Sequence, residues 1–110
     1  MDDYFAPCKL VEYANGGYSL ILSDANFVHY DVFEELGWEG NGYDWCSVVD
    51  WLVHRENPAL AEQLSYDPEA GMFVARSDDR DVLRLVAGLV RRAMQDKDVL
   101  REAIKNAELD

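Results

Sequence analysis

Two β-prone runs open the chain, Tyr4 to Tyr13 and Tyr18 to Leu22, on either side of Asn15-Gly16-Gly17. Those turn residues accept the positive φ that a hairpin needs, so the pattern predicts a hairpin, with Pro7 holding the first run at a sheet edge. Ser23 or Asp24 starts a loop into a short helix over Tyr30 to Leu36, which Gly37 can close in the left-handed conformation. An irregular stretch from Gly37 to Trp45 follows, in which Asn41 or Asp44 is placed to cap a helix over about residues 44 to 56. At 100° per residue, Trp45, Val48, Val49, Leu52 and Val53 share one arc of that helix, and Ser47, Asp50, Trp51 and His54 share the other.

Asn57-Pro58 restarts a short helix through Leu60, Ala61 and Leu64, with the proline at its first position. A second hairpin is predicted from Leu64-Ser65-Tyr66 and Met72 to Ala75 around Asp67-Pro68-Glu69-Ala70-Gly71, with Gly71 at a bulge position. Ser77 or Asp78 then caps a long helix to about Met94. Its inward set is Val82, Leu85, Val86, Leu89, Val90 and Ala93, with Arg80, Arg84 and Arg91 outward. Asp96 caps a last helix that turns Val99, Leu100, Ala103 and Ile104 inward. Hairpin, helices, hairpin, helices is the order of an α+β domain: a four-stranded, largely antiparallel sheet with helices packed on one face. Neither an internal repeat nor a linker interrupts residues 1 to 110, so a single domain is expected.

Composition adds a strong constraint through charge. The 110 residues carry 22 acids and 10 bases, a formal net charge of −12. Residues 1 to 75 hold 14 of the acids with only Lys9 and Arg55 as bases, whereas residues 76 to 110 hold 8 acids and 8 bases. Such a chain repels phosphate backbones and anionic lipid heads, so neither direct nucleic-acid binding nor membrane binding is expected. With no basic leader ahead of an apolar run and no apolar stretch of spanning length, the expectation is a cytoplasmic protein, monomeric or a weak homodimer.

Catalytic constellations are hard to assemble from these residues. A Cys/His-dependent hydrolase would draw on Cys46, on His29 or His54, and on Asp50. Along the helix, however, Cys46 and His54 are two turns and about 12 Å apart, too far for a hydrogen bond. Cys8 and Cys46 read as buried thiols, since they lack the spacing of a zinc or redox motif. Two histidines and scattered carboxylates match no metal pattern, so neither a metal nor a cofactor is expected. Gly37, Gly40 and Gly42 precede a helix, but no strand leads into them and Glu39 and Asp44 would repel a phosphate. The loop reads better as backbone that places Trp38, Tyr43 and Trp45.

The segments Val32 to Trp45, with Gly37-Trp38-Glu39-Gly40-Asn41-Gly42-Tyr43-Asp44-Trp45 as the most specific part, Tyr66 to Phe73, and Ser77-Asp78-Asp79-Arg80 resemble the bacterial immunity protein 51 family over roughly residues 18 to 95. The resemblance implies a cognate antidote that protects a bacterium from a polymorphic toxin exchanged between neighbouring cells, acting by binding and without catalysis. A small acidic domain suits that role, because a basic toxin domain such as a nuclease would be drawn to it by the same field that attracts nucleic acid. Two alternatives stand beside it, the Cys/His hydrolase and an acidic adaptor of a host complex. The expected partner-binding set is Asp31, Glu34, Glu35, Trp38, Glu39, Asn41, Tyr43, Asp44, Asp50 and Trp51, grouped around the irregular loop. Trp51 has two readings, an exposed hot spot or a core residue covered by a neighbouring helix.

Overall fold

The computed structural model describes residues 5–108. Strands β1 (Lys9–Glu12), β2 (Tyr18–Ser23), β3 (Ser65–Tyr66) and β4 (Met72–Ser77) form one antiparallel sheet in the order β1-β2-β4-β3. Helices α1 (Tyr30–Glu35), α2 (Gly42–Glu56), α3 (Arg80–Gln95) and α4 (Lys97–Glu108) complete the α+β architecture, with 3-10 turns at Asp24–Asn26 and Pro58–Gln63. The two predicted hairpins are both present, and β2 joins them by pairing with β4 along its whole length, from Tyr18 opposite Ser77 to Ser23 opposite Met72.

Period-two alternation decides which face is covered. Leu20, Leu22, Phe73 and Ala75 lie on the inner face and are buried against α2 and α3. From α2 come Trp45, Val48, Val49, Leu52 and Val53, all buried and all on the arc that the sequence predicts. α4 packs on α1, α2 and α3 through Leu100, Ala103 and Ile104, each fully buried.

Several local expectations are corrected. The first strand is shorter than the β-prone run and starts after Pro7; β1 is nonetheless the sheet edge. Position Tyr4 of that run lies outside the described residues. α1 stops at Glu35, and the segment after Pro58 is a 3-10 turn. The cap of α3 is Asp79, whose carboxylate accepts from the Asp81 amide, while Ser77 accepts from Asp79 one step earlier and ends β4. Gly71 does not take a bulge with positive φ; Glu69 and Met72 exchange both backbone hydrogen bonds across Ala70-Gly71, a tight two-residue turn. Leu85 is 48% exposed, and Leu83 and Ala87 are buried in its place. Because α3 touches the sheet on one side and α4 on the other, its buried arc runs from Val82 through Val86 and Val90 to Leu83 and Ala87, and Leu85 falls roughly 130° from its centre.

One contact fixes where α2 begins. The Gly42 amide donates to the Ala70 carbonyl at 2.9 Å, and a Cβ on Gly42 would lie 2.0 Å from the Glu69 carbonyl oxygen and 2.2 Å from that of Met72. Only glycine lets the helix start against the β3–β4 turn at backbone distance. On its other side the same turn is held by the Asp24 amide, which donates to the Gly71 carbonyl at 2.9 Å. Gly42→Ala should therefore cost about 3 kcal/mol or more of folding stability, because the obstruction is backbone that cannot rotate away. Urea unfolding of the variant beside the parent protein measures it.

Candidate functional site

The irregular segment between α1 and α2 is a closed hydrogen-bonded circuit. α1 ends with Gly37 at φ +82, the Gly37 amide on the Glu34 carbonyl at 3.0 Å and the Trp38 amide on the Phe33 carbonyl at 2.8 Å. That pattern is a Schellman end, and its customary apolar contact is the Trp38 ring stacked on Phe33 with centroids 6.4 Å apart. Of the two cap candidates, Asn41 caps α2, its Oδ1 accepting from the Asp44 amide at 2.9 Å. Asp44 reaches back instead, accepting from the Glu39 amide at 3.0 Å and the Gly40 amide at 2.7 Å. The Asn41 side-chain amide donates to the Glu39 carboxylate at 2.8 Å. Gly40, at φ +80, lies against the rings of Tyr30 and Phe33. Below the loop, Trp45 is fully buried and meets Phe33 edge to face at 5.4 Å. What remains accessible is Tyr43, 54% exposed, Tyr30, 45% exposed, and the side chains of Glu34 and Glu39.

The expected binding set divides into three groups. Asn41, Asp44, Glu39, Trp38 and Tyr43 belong to this loop, with Glu34 beside it on the last turn of α1. Asp31 and Glu35 instead face α4, where Asp31 pairs with Lys97 at 3.0 Å and Glu35 with Arg101 at 2.8 Å. The Lys97 hydrogen bond holds the Asp31 carboxyl below the usual carboxylate range, and the Glu35 hydrogen bond raises Arg101. Both carboxylates are thus already offset. Asp50 and Trp51 form the third group, two turns along α2 and about 12 Å from the loop by helical rise.

Trp51 fits neither of its two readings alone. It is half-buried against the core, and the Arg55 guanidinium lies 5.2 Å above its ring while pairing with Glu102 of α4 at 2.8 Å. With Ser47, Asp50, His54 and Ala107 it lines a shallow recess of about 380 Å³.

Among the described residues the hydrolase set is brought together only in part, with the Asp50 carboxylate 3.5 Å from His54 Nδ1. Burial pushes the Cys46 thiol up to about 12, and its sulfur faces the Val74 carbonyl at 4.0 Å. The ring of His54 is engaged by the Asp50 carbonyl at 2.8 Å, and that of His29 by the Met94 carbonyl 65 residues away. Tyr66, which sequence reasoning did not single out, is raised chiefly by burial and then by the nearby Asp50 carboxylate. Among the described residues no group of three His, Cys, Asp or Glu side chains is placed to hold a metal ion.

Asp24 and Glu69 join the acidic end in space although nothing in the pattern marks them. They come beside the loop through the Gly42–Ala70 and Asp24–Gly71 backbone bonds, which link residues far apart in sequence.

In single-tryptophan variants, acrylamide should leave Trp45 nearly unquenched and quench Trp38 and Trp51 to an intermediate degree. Native protein at pH 8 should take up no iodoacetamide at Cys46 over a time in which the urea-unfolded chain is fully alkylated, since the thiolate is scarce four units below its pKa. Peptide mass spectrometry reads the labelling.

Comparison with known proteins adds an independent finding. No curated protein and no solved structure matches the chain significantly. The family described as immunity protein 51 does match, over residues 8–109, nearly the whole length and wider than the segments that carry the resemblance. Sheet, loop and helices all fall within that span, and the chain belongs to the immunity protein 51 family, a family of toxin-neutralising immunity proteins.

Proposed function

We propose that this protein is the cognate immunity partner of a basic bacterial toxin domain, a nuclease being the class that fits best, and that it neutralises the toxin stoichiometrically in the cytoplasm without catalysis. The observation that carries the reading is the hydrogen-bonded loop from Gly37 to Asp44, which presents Tyr43, Trp38 and Glu39 on a backbone already fixed before binding. A preorganised surface loses little entropy on association, and aromatics bordered by acids are the composition of an interface centre with a polar rim. The carboxylates of Glu34 and Glu39, with Asp24 and Glu69 at the same end, supply a field that draws in a basic partner. Asp50 and Trp51 extend the surface along α2, and Asp31 and Glu35 lie at its margin, where their α4 partners reduce their share.

The product of the neighbouring reading frame, taken as the candidate toxin domain, supplies the test. It should co-elute with this protein as a one-to-one complex, and its activity should be abolished at equimolar ratio. Association should be fast at low salt and slow steeply as ionic strength rises, because the Debye length falls from about 10 Å at 0.1 M. Reversing both Glu34 and Glu39 to Lys should slow association about tenfold at low salt. Neutralising Asp31 and Glu35 should change it far less, since Lys97 and Arg101 already offset them. Stopped-flow fluorescence on the two double variants separates these outcomes. An association rate indifferent to salt and to both variants would remove the acidic surface from the account.

A further inference from the structure

At the end of the sheet remote from the acidic loop, the first hairpin turn, the end of the Pro58–Gln63 turn and the junction of β4 with α3 enclose a recess of about 760 Å³. Tyr13, Tyr18, Glu62, Ser65, Arg76 and Asp78 are among its walls. The register places its central feature. Val11 and Arg76 both lie opposite Ser19, so the three share the outer sheet face, and Tyr13, two residues past Val11, folds over it. The Tyr13 hydroxyl is hydrogen-bonded to Ser19 Oγ at 2.8 Å, and Ser19 is fully buried. The Arg76 guanidinium rests 5.5 Å above the anchored ring. A cation on an aromatic shelf is held in place and gives up little freedom when it binds.

Among the described residues Arg76 lacks a counter-charge, a state it shares with Arg80, whose guanidinium lies over the Phe5 ring. In a chain of 22 acids and 10 bases, Arg55, Arg84, Arg92 and Arg101 each pair with a carboxylate. Among the described residues none pairs with Arg76, although Glu62 and Asp78 line the same recess. Those two carboxylates also lack a cationic partner among the described residues. Unpaired charges of both signs therefore face one concavity, beside Tyr13 and Arg76, residue types that dominate binding hot spots.

We infer that this recess is a second contact surface for the toxin, in which the Arg76 guanidinium, supported by Tyr13, takes a carboxylate of the bound toxin. The inference rests on the toxin-binding reading above. A guanidinium fork matches a carboxylate through two parallel hydrogen bonds. Glu62 and Asp78 at the walls disfavour a dianion such as phosphate, and they pair with basic residues flanking the incoming carboxylate on a basic toxin surface. The recess thereby sets the register of a complex whose encounter is driven from the acidic end.

Isothermal titration of the toxin domain into the parent protein and into Arg76→Glu, Arg76→Gln, Arg76→Lys and Tyr13→Phe tests the inference. Arg76 is exposed, so circular dichroism and melting should show intact folds. Arg76→Glu is expected to weaken binding by about thirtyfold or more, as for a hot spot. The glutamine variant should lose less. Arg76→Lys should fall between Gln and the parent, since it keeps the charge and loses the fork, and Tyr13→Phe should weaken binding a few-fold by freeing the shelf. Parent-like affinity in all four variants overturns the inference while leaving toxin binding standing. Failure of the parent protein to bind the toxin overturns both.

Discussion

The backbone contact at Gly42 organises this protein. Where α2 begins touching the carbonyls of Glu69 and Met72, a helix end, a hairpin turn and the Asp24–Asn26 turn share one point, tied by the Gly42–Ala70 and Asp24–Gly71 hydrogen bonds. That point sets the height of α2 over the sheet, and with it the depth to which Trp45 enters between Phe27 and Phe33. The loop before it has few ways to close. Asn41 caps α2, Asp44 gathers the amides of Glu39 and Gly40, and the Schellman end of α1 delivers Trp38 onto Phe33. A surface that looks irregular along the chain is rigid because both of its ends are fixed by packing.

Charge shows how folding redistributes what the chain separates. Eight of the ten bases lie in residues 76 to 110, and α3 and α4 return some of them to acids earlier in the chain, as Lys97 to Asp31, Arg101 to Glu35 and Arg92 to Glu56. These exposed pairs add little stability individually. Their consequence is spatial: among the described residues Asp24, Glu34, Glu39 and Glu69 stay without a cationic partner at the loop end, and Arg76, Glu62 and Asp78 stay unpaired together at the opposite end of the sheet. In the complex we propose, the two ends have different parts: long-range attraction at one and register at the other.

The fold class and the helical arcs were legible because burial on one side imposes a period on the sequence. Trp45, Val48, Val49, Leu52 and Val53 obey it on α2, as do Leu100, Ala103 and Ile104 on α4. On α3 the same reasoning misplaced Leu85, because a helix touched on two sides has an arc wider than its strongest stripe. Asp79, two residues beyond Ser77, took the cap because β4 runs on through Ser77. The candidate surface was legible where it is local, at Trp38 to Asp44. It was not where it depends on long-range packing: nothing in the pattern reveals that Asp31 and Glu35 meet α4, that Arg55 lies over the Trp51 ring, or that Arg76 rests on Tyr13.

If the preorganised acidic loop binds the toxin, amide hydrogen exchange of the protein alone and in complex with the toxin domain will register it. Exchange should slow on binding at residues 37 to 44 and at the adjoining 24–26 and 69–71 turns, with little change through the buried segments of α2 and α4. Toxin bound with unchanged exchange across 37 to 44 would contradict it.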